Sequence, residues 1–98
     1  MMTDQPNCAC APECVAVLFA IEADAEPGLA PRLLQPFARR GIIPDYVHAE
    51  LRGGQFLWQI GVADVSTGDV ALLAGNLRQV VGVRGVAEIA ADALRLAA

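Results

Sequence analysis

Residues 14–91 predict one α+β domain, a four-stranded antiparallel sheet with two helices on one face. Three observations carry the prediction. Four short runs alternate apolar and smaller residues with period two, and two runs between them repeat apolar residues every three to four positions. Taken in order, the six runs read strand, helix, strand, strand, helix, strand. Right-handed crossovers in both strand–helix–strand units then put both helices on one side of the sheet and the second strand at an edge. This is the ferredoxin-like βαββαβ arrangement.

Each element has its own signature. Residues 1–13, MMTDQPNCACAPE, are polar, carry prolines and show no period, so they read as a disordered tail. In CVAVLFAIEA, Val15, Val17, Phe19 and Ile21 alternate with smaller residues, as a strand with one buried face requires. DAEPG breaks that run. A helix is expected from about Leu29 to Arg40, where Leu29, Leu33 and Phe37 form a stripe that Leu34 and Ala38 widen. Pro31 suits the first turn, because its missing N–H bonds nothing there. Pro36 removes an interior bond and drives its ring at the carbonyl of Arg32, so a kink or broken turn near Arg32 is expected. Gly41 ends the helix.

IIPDYVHAEL reads as the second strand, which Pro44 confines to an edge. Arg52-Gly53-Gly54 makes a tight connection to QFLWQIGVAD, with Phe56, Trp58, Ile60 and Val62 on the core face and Gln55, Leu57, Gln59 and Gly61 opposite. STGDVALLAGNLRQVVG is the second helix. Ser66 and Asp69 form a cap at its start, Val70, Leu73, Leu77 and Val80 or Val81 form its stripe, and Gly82 ends it. VRGVAEIA is the last strand, with a bulge at Gly85 that lets Val83 and Val86 both face inward. Residues 92–98 read as a C-terminal tail.

Composition narrows the function classes. At 98 residues and 55% hydrophobic, the chain is one domain that leaves roughly a third of its unfolded-chain surface exposed, much of it apolar. Association with other chains is therefore expected. Net charge is −4, from seven arginines and eleven acids, and only Arg39 and Arg40 adjoin. Arginines so scattered make no basic stripe, which argues against nucleic acid. The longest apolar run, CVAVLFAI, is far short of the ~20 residues that span a bilayer. No basic residue precedes Arg32, so no secretory leader is read and a cytoplasmic protein is expected. Cys8, Cys10 and Cys14 are odd in number and crowded at one end. They read as a reduced tail, with Cys14 entering the first strand as a small hydrophobe, rather than as a metal site.

The fold hosts many chemistries, and several fail here. A copper carrier needs paired cysteines after the first strand, where this chain has DAEPG. An acyl-phosphate hydrolase needs an arginine cradle in that loop, where Asp24 and Glu26 would repel phosphate. An RNA-binding sheet needs exposed aromatic and basic residues on its strands. His48 shares a strand face with Tyr46 and Glu50 and has no paired nucleophile. The chain therefore reads as non-enzymatic, without cofactor or metal.

One passage remains, the turn at residues 24–29. Pro27-Gly28 brings backbone N–H groups to a helix N-terminus, which favours a carboxylate, and Asp24 or Glu26 beside it would suit an ammonium group. Together these match the two ends of an amino acid, although a plain tight turn needs no ligand to explain it.

AEPGLAPRLLQPFARRGI resembles the first strand–helix segment of ACT domains, amino-acid-sensing βαββαβ modules. In particular it resembles the small regulatory subunit of acetolactate synthase, an enzyme of branched-chain amino acid biosynthesis. That pattern runs through a Pro-Gly-Leu turn and an F-x-R-R-G helix end, here Pro27-Gly28-Leu29 and Phe37 to Gly41. LRQVVGVRGV resembles the same family's passage from second helix to last strand, and the likeness covers residues 15–90. It implies a homodimer paired through sheet edges or helices, with an amino-acid effector between one chain's first loop and its partner. Gly28 and Leu29 fall on the effector loop, and Glu26 and Pro27 stand just before it. Acetolactate synthase subunits carry an effector-contacting asparagine shortly after the Arg-Arg-Gly, where this chain has Ile43 followed by Pro44. Isoleucine cannot hydrogen-bond a head group, so the departure argues against valine-type feedback. Three readings stand: a small subunit with a large catalytic partner, a stand-alone homodimeric sensor of an amino acid or other small ligand, and an interaction module without a ligand.

Overall fold

The computed structural model describes residues 14–90. The expected tails, residues 1–13 and 92–98, lie outside them. Six elements follow in chain order: β1 (Cys14–Asp24), α1 (Leu29–Arg39), β2 (Tyr46–Arg52), β3 (Gln55–Ser66), α2 (Thr67–Arg78) and β4 (Val83–Ala90). The sheet runs β2-β3-β1-β4 with every neighbouring pair antiparallel, which is the ferredoxin-like topology. The apolar alternations of β1 and β3 fall on the two inner strands, and the polar YVHAELR of β2 sits at an edge.

The core lies between the sheet and the two helices. Val17, Phe19, Ile21 and Ala23 of β1 meet Leu29, Leu33 and Phe37 of α1 and Leu73, Ala74 and Leu77 of α2. Phe19 and Phe37 pack edge to face with ring centroids 5.9 Å apart, tying α1 to the middle of the sheet. On β3, Trp58, Ile60 and Val62 are buried as their alternation predicts, and so is Val65, which strict alternation would turn outward. The register shows why. Val15 pairs with Val65 and Val17 with Val62, so Ala63 and Asp64 together oppose Ala16. This bulge resets the alternation and lets Val62 and Val65 share the core face. A second irregularity leaves Arg84 unpaired between Val83, opposite Ala23, and Gly85, opposite Glu22. Val83 and Val86 consequently both pack against the core.

Local signals mostly act as expected. Gly53 and Gly54 both hold positive φ, 59° and 84°, in the two-residue turn from β2 to β3. That is the type I′ geometry, whose twist matches the strands and whose φ values only glycine adopts freely. The Ser66 hydroxyl accepts the Asp69 N–H at 3.1 Å and caps α2.

Five expectations need correction. α1 is continuous through Pro36, with no broken turn at Arg32. The Pro36 ring is buried, so packing offsets the lost ladder bond, and Pro36 rather than Ala38 widens the helix stripe. α2 ends at Arg78, four residues before Gly82, because Gln79 and Val80 N–H groups turn back to Asn76 and Leu77 carbonyls. β2 begins only at Tyr46, so Pro44 precedes the strand instead of marking its edge. Asp45 makes the junction: its N–H donates to the Gly61 carbonyl and its carboxylate accepts the Ala63 N–H at the β3 bulge. Cys14 is disulfide-bonded, not a reduced thiol, and Cys8 and Cys10 lie outside the described residues.

Two substitutions gauge this core by urea denaturation. Phe37→Ala removes a buried ring and its partner for Phe19, and lowers stability by about 3–5 kcal/mol. Leu72→Ala, on the outer side of α2, changes it by less than about 0.5 kcal/mol.

Candidate functional site

β1 ends and α1 begins at the same rim of the sheet, and residues 25–28 bridge them. The Asp24 N–H donates to the Gly82 carbonyl at 2.8 Å, so the turn is tied to the α2–β4 connection. Gly82 needs to be glycine. Its φ is +100°, and a Cβ there would stand 3.3 Å from the Glu26 carboxylate and 3.7 Å from the Leu29 side chain. Gly28 differs. Its φ of −86° and ψ of 4° are open to other residues, and an added Cβ would meet only the Arg32 guanidinium, at 3.5 Å.

Five of the six expected site residues gather at this rim. Pro27 is exposed in the turn. Leu29 is fully buried, so its side chain belongs to the core and only its backbone faces the turn. Even that is engaged, because the Leu29 N–H donates to the Glu26 carbonyl at 3.2 Å. Pro31 has no N–H, so the backbone cradle expected for a carboxylate is reduced. No side chain caps the start of α1. Ile43 lies apart. It is 84% exposed in the connection leaving the far end of α1, an 11-residue helix roughly 16 Å long.

The acids of the turn already have partners. Arg84 grips Asp24 with both nitrogens of one guanidinium edge, Nε to Oδ1 at 2.8 Å and Nη2 to Oδ2 at 3.3 Å. Hydrogen bonding to Asp24, and its charge, hold the Arg84 pKa above the ordinary arginine value. Arg32 reaches Glu26 more loosely, at 3.4 Å. Both pairs are exposed, where water screens the attraction and another ion exchanges readily. The turn thus presents two acid–arginine pairs beside a helix start, a surface that complements both ends of a zwitterion.

Arg84 and Arg32 were missed by sequence reasoning. Arg84 is 60 residues from Asp24 and becomes its neighbour only because β4 lies beside β1. Arg32 carried a local signal, since the helix start brings it back over the turn.

His48 belongs to a different surface. It is exposed on the face of the sheet away from the helices, stacked on Tyr46 with centroids 6.5 Å apart. Next along that face, the Arg52 guanidinium bonds the Glu50 carboxylate at 2.6 Å and holds its pKa below the usual carboxylate range. Among the described residues no group of three or more His, Cys, Asp or Glu stands close enough to hold a metal ion. None of the described helices is long and apolar enough to cross a membrane.

No protein-family model matches the chain, and no curated protein matches it. Solved structures share its fold. The crystal structure of the ACT domain from GTP pyrophosphokinase of Chlorobium tepidum superimposes with a TM-score of 0.68 at 16% identity, over 78% of this chain and 99% of that one. A solution structure of the same domain gives 0.67 at 16% identity, over 79% and 88%. The uncharacterized protein TM1266 from Thermotoga maritima gives 0.65 at 12% identity, over 80% and 98%. The ACT fold expected of residues 15–90 is therefore the fold observed.

Gly82→Ala tests how tightly the turn is braced. The strained φ and the close Glu26 carboxylate lower stability by about 1–3 kcal/mol. In an amide spectrum the changes centre on residues 24–29 and leave β2 unmoved.

Proposed function

We propose that this chain is a non-catalytic regulatory module that binds a small amino-acid-like ligand at the β1–α1 turn and works as a homodimer. The observation that carries the reading is the pair of exposed acid–arginine contacts, Asp24–Arg84 and Glu26–Arg32, bordering an open helix start in an ACT fold. An ammonium group displaces an arginine from Glu26 or Asp24, and the released guanidinium takes the carboxylate. Pro27 and Gly28 form the mouth, and Leu29 anchors it to the core.

Ile43 enters through the partner. β2 is an exposed edge strand, and Val47 and Leu51 stand 47% and 65% exposed on its helix side. Antiparallel pairing of β2 with its copy continues the sheet and buries both side chains twice over. It also reverses the partner, carrying the partner subunit's Ile43 to the end where this chain's turn lies. An isoleucine at that wall selects an apolar ligand side chain and makes no head-group contact. The motif likeness in residues 25–42 supports a finer role, a small subunit of an acetolactate-synthase-like enzyme acting in the cytoplasm with a large catalytic partner.

Light scattering and a thermal-shift series over amino acids test the reading. The chain runs as a dimer, Leu51→Glu shifts it to monomer, and an apolar amino acid raises the melting temperature. Gly28→Val abolishes that response and leaves the fold intact, since only the flexible Arg32 meets the new side chain. An unchanged response in Gly28→Val rejects the site. Co-purification of a thiamine-diphosphate-dependent synthase with the tagged chain supports the subunit role, and recovery of its own copies alone argues against it.

A further inference from the structure

The arginines are scattered in the sequence, but the fold sorts them. Arg32, Arg39 and Arg40 on α1 and its cap, with Arg78 on α2, face a single helical acid, Asp69. The remaining described residues carry Arg52 and Arg84 against seven acids. A chain of net charge −4 thus has a cationic helical layer over an acidic sheet and loops.

Within that layer, a cleft of about 230 Å³ opens between α1 and α2. Arg32, Gln35 and Arg39 line one side, Asn76 and Gln79 the other, and the buried Pro36 lies among them. The spacing 32, 35, 36, 39 keeps the α1 residues on one face, three and four positions apart. No carboxylate lines the cleft. Among the described residues Arg39 has no ion-pair partner, and the side chains of Gln35, Asn76 and Gln79 make no hydrogen bond. Arg32 is held only by its 3.4 Å contact with Glu26.

We propose that the α1–α2 cleft is a second binding site, which takes a small, multiply charged oxyanion (a phosphate group or a dicarboxylate) between Arg32 and Arg39. Each guanidinium offers a planar fork of N–H donors matched to paired oxygens, and the three carboxamides supply further donors without opposing charge. Two cations two helical turns apart suit a ligand with more than one negative charge. The site shares Arg32 with the β1–α1 turn, and Arg39, at the other end of α1, tells the two apart.

Thermal unfolding of the full chain tests the proposal, with inorganic phosphate or succinate titrated against sodium chloride at matched ionic strength. Excluded-ion stabilisation by phosphate does not saturate and is the same in every variant. Site binding saturates and depends on Arg39. A saturable rise in melting temperature with either probe supports the site, and the probe that gives it identifies the source as phosphate or dicarboxylate. Arg39→Gln leaves the melting temperature in chloride unchanged and weakens the apparent affinity at least tenfold, while Arg52→Gln, on the far edge of the sheet, keeps the response. Arg84→Gln, which alters the turn at Asp24 and leaves Arg32 untouched, also keeps it, so loss of the amino-acid response and loss of this one are separate events. Equal shifts in wild type and Arg39→Gln, or no saturation with either probe, overturn the proposal.

Discussion

β1 is the constraint on which the rest of the structure depends. It is bonded on both sides, by β3 and β4, and its inward residues from Val17 to Ala23 meet both helices. Phe19 sits at the centre of that face, fully buried against Phe37. A strand so held cannot slip by one residue without turning every apolar side chain to the opposite face. Its register therefore fixes where Asp24 stops and where the turn into α1 starts. The bulges of β3 and β4 are adjustments to β1, each keeping two valines on the core face where strict alternation would turn one of them away.

The functional surfaces follow from that frame. The turn after β1 is tied to the α2–β4 connection by the Asp24–Gly82 backbone bond, and the Asp24 side chain meets Arg84 of β4. Its acids are thereby presented beside arginines from two other elements, at a solvent-exposed rim where exchange with a ligand costs little. The same frame exposes β2. Val47 and Leu51 stay open to solvent on that edge, and in the proposed dimer a second copy covers the strand edge and these side chains. In the proposed dimer, pairing of the two copies also completes the ligand site. The helical layer, on the other side of the sheet from His48 and Tyr46, gathers positive charge that the chain as a whole does not show.

The element order was legible because each run carries a strong local period: β1 from Val15 to Ile21, α1 from Leu29 to Phe37, α2 from Val70 to Leu77. Cap and turn chemistry were legible for the same reason, at Ser66 and at Gly53-Gly54. Boundaries were less so. Val80 continues the apolar stripe of α2 after its backbone has left the helix, and Ile42 and Ile43 extend an apolar run that the strand does not use. Pro36 misled because its local penalty is visible in sequence, whereas the burial of its ring is not. At the candidate site, Asp24, Glu26, Pro27, Gly28 and Leu29 read as a group because they adjoin in the chain. Their arginine partners were not, because Arg84 arrives through sheet topology. The cleft around Arg39 was invisible for the same reason, since it is assembled from two helices.

An amide-resolved titration of the isotope-labelled chain with apolar amino acids tests the central claim most directly. The account predicts saturable shifts in two groups of amides together, residues 24–30 at the turn and residues 42–46 contributed by the partner subunit. Shifts confined to the α1–α2 cleft, or an absence of saturable shifts with every amino acid, would contradict it.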